Sequence, residues 1–197
     1  MKVRVNVLPK KKLEDEKWYS MLQAGARFLM MVRNVSFNYR LGLLGYFVHP
    51  ELSAESEHHV SGNYAHFDQM MAIQWVKDNI AAFGGDPENM TIMGQSAGAM
   101  SVQQLVLSPL AKGLFHKAVM CSGAGVHRKL SAQPPEHQYD FWQRTMELSG
   151  CKDLEAFRAL PVEKLFTAWE FTQTEMRGHC TPCLDGKLIV GSGGELL

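Results

Sequence analysis

The sequence predicts an α/β fold with a mostly parallel sheet flanked by helices, and three observations carry that prediction. Short apolar runs at residues 90–93 and 118–121 are each long enough only for a buried strand. Apolar side chains recur at spacings of three and four over residues 66–83, which is typical of an amphipathic helix. A second helix is predicted between the two strands, over residues 98–107. Strands that alternate with helices form βαβ units and pair in parallel.

Two further strands are predicted upstream of this unit. Residues 34–39 are rich in β-branched and aromatic side chains, and Gly42 and Gly45 then interrupt the pattern. Valines at positions 3, 5 and 7 alternate with polar residues, which predicts a short strand near the N-terminus.

Further helices are predicted after the second core strand. Residues 135–178 carry helical patterning with charged faces, and we interpret them as helices inserted after a core strand, over one rim of the sheet. The chain is therefore interpreted as one partial domain, residues 1–197, with a helical cap-like region at about residues 127–180.

Charge and hydropathy exclude several classes of partner. Lys plus Arg and Asp plus Glu each number 20, so no electrostatic attraction to nucleic acid or to an anionic membrane is expected. No apolar run approaches the roughly 20 residues of a membrane span. The N-terminus has no apolar stretch of the kind found in secretory signals, so a cytoplasmic location is expected.

The cysteines and histidines do not form the pattern of a metal or redox site. Cys180 and Cys183 have C-x-x-C spacing, but no second pair lies at a zinc-ribbon distance, and reduced thiols are the expectation. Neither a metal nor an organic cofactor is predicted. A surface or capping role is expected for each of these histidines: His58, His59, His66, His116, His127, His137 and His179.

One motif carries chemistry: Gly94-Gln95-Ser96-Ala97-Gly98, a G-x-S-x-G between a predicted strand and a predicted helix. A sharp turn at this point strains the serine backbone by about 1–3 kcal/mol and lifts its Oγ above the sheet edge. Small residues on either side let the strand and the helix pass closely. The Ala97 backbone N–H can then donate to a developing oxyanion at the helix N-terminus. The motif predicts Ser96 as a nucleophile.

Several further stretches, in order, make the chain resemble the carboxylesterase/lipase type-B family, the cholinesterase-like α/β-hydrolases. The strong resemblance spans about residues 34–126, and a looser one reaches Pro182 and Asp185-Gly186. Gln95 is more similar to bacterial para-nitrobenzyl-esterase-like members than to animal cholinesterases. The stretches are Asn38-Tyr39-Arg40-Leu41-Gly42, Gly62-Asn63-Tyr64, Phe67-Asp68-Gln69, Trp75 to Ile80, Phe83 to Pro87, Gly94 to Ala99, Phe115 to Val119 and Ser122-Gly123.

The resemblance implies a serine carboxylesterase that acts on small-molecule esters through an acyl-enzyme. It implies that Ser122 lies behind the catalytic triad as a hydrogen-bond partner, and Gln95 is counted with it among the supporting residues. It also implies that Asp68 and Arg40 are structural, as buried polar groups tied to the loops around the elbow.

The chain also departs from the family pattern. The glycine-rich oxyanion loop is expected upstream of Asn38, where the sequence has no paired glycines, and the catalytic acid and His are expected beyond Leu197. We therefore expect a truncated chain that is weakly active or inactive alone, and that self-associates through an exposed sheet edge. Two alternatives stay open: a non-catalytic binding or adhesion module, and a non-functional gene fragment.

Overall fold

Ser96 lies at the junction between a pair of parallel strands and a helix. A computed structural model describes the backbone of residues 3–6, and residues 34–123, 132–178 and 181–191 in full. The strands are β1 (Val3–Asn6), β2 (Asn34–Phe37), β3 (Thr91–Gln95) and β4 (Lys117–Cys121). The α-helices are α1 (Gly42–Tyr46), α2 (Pro50–Glu55), α3 (Tyr64–Asn79), α4 (Ala97–Leu107), α5 (Tyr139–Leu148), α6 (Leu154–Arg158) and α7 (Val162–Met176).

The central unit is the predicted β3–α4–β4 crossover. The two strands pair in parallel, with Met93 opposite Val119 and Gln95 opposite Cys121. Helix α4 packs on both strands. The predicted α/β class is therefore confirmed. The expected N-terminal strand is present at Val3–Asn6, where it pairs antiparallel with β2, and Val7 lies outside the described residues.

The two central strands are not buried as the sequence predicted. Met93 is 69% exposed, and Val119 opposite it is 41% exposed. Helix α4 covers one face of the pair, and no described element covers the face that carries Met93. The apolar composition predicted buried strands because such side chains can be buried. Actual burial requires another element to pack on each face of the sheet.

The long helix of the predicted amphipathic segment starts earlier and ends sooner than expected. Helix α3 begins at Tyr64, and its last turn tightens into a 3₁₀ helix at Ile80–Phe83 before Gly84 stops it with φ +72°. Short helices α1 and α2 lie between β2 and α3, where no helix was predicted. Five or six residues carry too few repeats for a helical period to stand out in the sequence.

The largest described apolar core lies on the helical side of the chain. Trp142, fully buried on α5, packs edge to face against Phe47 with ring centroids 5.0 Å apart. Phe157 of α6 contacts the same Phe47 ring, and Leu165 of α7 joins the cluster. The sheet side holds smaller clusters around Ile73 and Leu188. The helices predicted over residues 135–178 are therefore present, and they carry most of the core packing.

A buried asparagine joins two distant parts of the chain. Asn63 is fully buried with φ +54°, a left-handed conformation that asparagine tolerates better than most residues. Its Nδ2 donates to the Cys183 carbonyl and to Asp185 Oδ2, both at 2.8 Å, and its Oδ1 accepts from the Cys183 N–H at 3.0 Å. We call these three bonds the Asn63 clamp. The clamp holds the entry of α3 against residues 181–191.

Candidate active site

Ser96 forms a sharp strand-to-helix turn, as its motif predicted. Its backbone has φ +53° and ψ −119°, a combination that is costly for a residue with a Cβ. Its N–H donates to the Cys121 carbonyl at 2.9 Å, so the end of β4 holds the turn. Its carbonyl accepts from Ala99 N–H at 2.9 Å and from Met100 N–H at 3.1 Å, which starts α4. The side chain is exposed.

Gly94 and Gly98 contribute to the turn in different ways. A Cβ on Gly94 would lie 2.2 Å from the Gly98 carbonyl oxygen, so the strand and the helix pass each other backbone to backbone. A Cβ on Gly98 would meet nothing within 4 Å. Close packing therefore requires glycine at position 94, and the carbonyl of Gly98 is what packs there.

The first turn of α4 offers a hydrogen-bond donor beside Ser96. Ala97 is the first residue of the helix, and its N–H has no acceptor among the described residues. A helix N-terminus carries a partial positive charge and unsatisfied N–H groups, which suits a developing oxyanion. The Ser96 Oγ likewise makes no hydrogen bond within the described part of the chain, so no described side chain is placed to remove its proton.

The two predicted supporting residues lie at the ends of β3 and β4. Gln95 is exposed and pairs in register with Cys121. Ser122 follows β4 with φ +54° and is exposed, and its role as a hydrogen-bond partner remains a prediction.

Arg40 and Asp68 form an ion pair, and their structural role stays a prediction. The guanidinium donates to both carboxylate oxygens at 2.7 and 2.8 Å, and the Arg40 N–H adds a third bond at 2.9 Å. These bonds hold the pKa of Asp68 below its ordinary value. The pair ties the segment before α1 to α3, but its burial was overestimated, since the Arg40 side chain is 48% exposed.

One histidine contradicts the expected surface role. His66 on α3 is fully buried, and neither ring nitrogen has a hydrogen-bond partner. Burial lowers its pKa from 6.5 to about 4, so the ring is neutral at pH 7. The helical period placed this residue on a helix but could not indicate its burial, because histidine is found both in protein cores and on surfaces.

The other histidines mostly follow expectation. His58, His59, His116 and His137 are exposed, and His127 and His179 lie outside the described residues. His49, which sequence reasoning passed over, accepts from the Glu51 N–H at 3.3 Å and so caps α2.

The C-x-x-C spacing is only half described, because Cys180 lies outside the described residues. Cys183 is a buried free thiol, and burial raises its pKa to about 12, which keeps it protonated and unreactive. No group of three His, Cys, Asp or Glu side chains in the described ranges is arranged to hold a metal ion. Among the described helices, none is long and apolar enough to cross a bilayer.

Comparison with known proteins gives matches throughout one family. The model of the carboxylesterase family matches residues 17–197. A medium-chain fatty acyl-CoA hydrolase precursor of Anas platyrhynchos is 46% identical over 166 residues, which are 83% of this chain and 28% of that protein. Carboxylesterase 5A of Felis catus is 42% identical over 137 residues, 66% of this chain and 24% of that protein.

Solved structures give the same result. The Geobacillus stearothermophilus carboxylesterase matches with a TM-score of 0.68 and 37% identity, over 79% of this chain and 33% of that one. A PNB esterase matches with a TM-score of 0.69 and 32% identity, over 80% of this chain and 33% of that one. The fold is that of the α/β-hydrolases. The chain spans about a quarter to a third of the length of these relatives.

Proposed function

Because this chain belongs to the carboxylesterase family, we propose that Ser96 is the nucleophile of an ester hydrolase that works through a covalent acyl-enzyme. The observation that carries the proposal is the strained backbone of Ser96 between β3 and α4. Such strain persists only where the surrounding structure enforces it, and it serves chemistry at an exposed serine.

The proposed reaction follows from the geometry of the turn. The Ser96 Oγ attacks the ester carbonyl carbon while a base takes the hydroxyl proton, and the Ala97 N–H donates to the oxyanion that forms. The intermediate collapses, and the alcohol leaves with that proton. Water then attacks the acyl-serine, releases the acid and restores Ser96. The substrate is a small-molecule ester.

We expect this chain alone to turn over esters slowly, because Ser96 Oγ has no base within hydrogen-bond reach in the described residues. Removing a single oxyanion donor from a serine hydrolase costs about 10²–10³ in rate, and loss of the base costs more. The alternative of a non-catalytic binding module is consistent with the fold, but it does not account for the strained backbone of Ser96. Cytoplasmic location stays a prediction, checked by cell fractionation.

A fluorophosphonate probe tests the assignment of Ser96. Because no described base activates Ser96, we expect labelling to be slow: after prolonged incubation with excess probe, intact-mass spectrometry should detect one adduct per chain. Peptide mapping should locate it at Ser96, and the S96A variant should remain unmodified. The matched control is Ser101→Ala, which removes a half-buried hydroxyl one turn further along α4 and should label like the parent. An adduct that persists in S96A, or a folded parent that takes no label, would contradict the proposal and favour the binding module.

One face of the β3–β4 pair is covered by no described element, and we propose that the chain self-associates through it. Met93 and Val119 lie side by side on this face, and unpaired strand edges and exposed apolar patches both favour contact with another copy. We expect sedimentation velocity to give a mass that rises with concentration. Met93→Lys should reduce that rise, whereas Met71→Lys, a change at a 66% exposed methionine on α3, should not. A monomer at every concentration would refute the proposal.

A further inference from the structure

The segment that leaves β4 crosses directly over the turn that carries Ser96. A Cβ on Gly123 would lie 2.3 Å from the Ser96 carbonyl oxygen, 3.0 Å from its carbonyl carbon and 3.1 Å from the Ala99 Cβ. Contacts below 3.0 Å essentially never occur for real Cβ atoms. The Gly123 backbone therefore rests against the Ser96 carbonyl with no room for a side chain.

Both polar backbone groups of Ser96 contact the chain at the end of β4. Its N–H donates to the Cys121 carbonyl, while its carbonyl is covered by Gly123. Between them, Ser122 turns the chain with φ +54°. The exit of β4 thus fixes both polar groups of the most strained residue in the turn.

The position of this carbonyl decides where a neighbouring N–H points. A peptide unit is planar and trans, so the Ser96 C=O and the Ala97 N–H lie in one plane and point in opposite directions. Any rotation of the carbonyl rotates the Ala97 N–H by the same angle. An oxyanion donor must lie about 2.7–3.1 Å from the oxygen that it stabilises, which leaves little tolerance for such a rotation.

We propose that Gly123 is a positioning residue that aims the Ala97 N–H by seating the Ser96 carbonyl. The inference rests on the proposed function, because it assigns a donor for the oxyanion formed at Ser96. Gly123 itself touches no substrate. Its contribution is the absence of a side chain at the point where the peptide plane is set.

The test compares Gly123→Ala with Gly150→Ala in the full chain. Gly150 has φ +80° and open space around its Cβ position, so alanine there costs stability without touching the turn. Two quantities are measured: amide hydrogen exchange at Ala99 and Met100, whose N–H groups bond to the Ser96 carbonyl, and the saturation kinetics of fluorophosphonate labelling at Ser96.

We expect Gly123→Ala to speed exchange at these two amides by at least about tenfold and to lower the limiting labelling rate by about 10²-fold, with the half-saturating probe concentration unchanged. Gly150→Ala should match the parent in both. Parent-like exchange in Gly123→Ala, or equal effects in the two variants, would overturn the inference.

Two further outcomes separate this inference from the assignment of Ser96. If the parent takes no label, the proposed nucleophile fails, and the exchange measurement alone decides whether Gly123 seats the peptide. If Gly123→Ala does not fold, amide exchange in the parent chain decides the question. Strong protection of the Ser96, Ala99 and Met100 amides supports the proposed seating of the Ser96 carbonyl, and rapid exchange at these amides refutes it.

Discussion

Replacing Gly94 with alanine is expected to destabilise the chain by about 3 kcal/mol and to abolish labelling at Ser96, because the new methyl group would meet backbone rather than a movable side chain. Its Cβ would lie 2.2 Å from the Gly98 oxygen and 2.9 Å from the Ala99 nitrogen. To make room, α4 would have to move away from β3, and the turn that strains Ser96 would relax.

The second glycine of the motif provides the matched comparison. Gly98→Ala adds a methyl group into open space within α4, where alanine is the better helix former, so we expect a change in stability smaller than about 1 kcal/mol. Urea unfolding of both variants measures the difference. Equal losses would mean that the close passage of strand and helix does not set the requirement for glycine.

Acidification is expected to weaken the fold between pH 6.5 and about 4, because His66 is buried in its neutral form. In the unfolded chain this imidazole binds a proton below its ordinary pKa of 6.5, whereas burial lowers the pKa to about 4 in the folded chain. The unfolded state therefore binds more protons throughout this range, so the free energy of unfolding decreases as the pH is lowered. The loss approaches about 3 kcal/mol at pH 4. Asp185 opposes the shift and limits its size.

Substitution of His66 separates its contribution from that of other groups. His66→Phe keeps a ring in the buried site and removes two nitrogens that have no partner, so it should be nearly neutral at pH 7 and should flatten the acid slope. His137→Ala, at an exposed ring, should leave the slope unchanged. Urea unfolding at several pH values measures both. An undiminished slope in His66→Phe would assign acid sensitivity elsewhere.

The sequence was sufficient to predict the β3–α4–β4 unit, because each element carried its own local signal. Strand and helix periods, the glycines of the motif and the stop before Pro109 depend on neighbours within a few residues. Burial could not be predicted in this way. Met93 is exposed and His66 is buried. Each outcome depends on which elements pack against the residue, and those elements can lie far along the chain.

The sequence predicted the sharp turn at Ser96 but not the contacts that hold it. The motif and its strand-to-helix context predicted this turn, while the roles of Ser96 as nucleophile and of the Ala97 N–H as oxyanion donor stay predictions. The contact of Gly123 with the Ser96 carbonyl and the different roles of Gly94 and Gly98 required coordinates. The sequence shows a glycine but does not show whether the space at its Cβ position is filled or empty.

The Asn63 clamp also has a consequence for how the chain folds in time. Its bonds join residues 120 positions apart, and closing such a loop costs chain entropy on the order of 4 kcal/mol. Helices α5 to α7 pack through nearer contacts, so we expect them to form before the clamp. On a ribosome that adds about 10 residues per second, Asn63 emerges on the order of 10 s before Cys183 does. During that interval its amide is hydrated, because the carbonyl and carboxylate that it binds have not yet emerged.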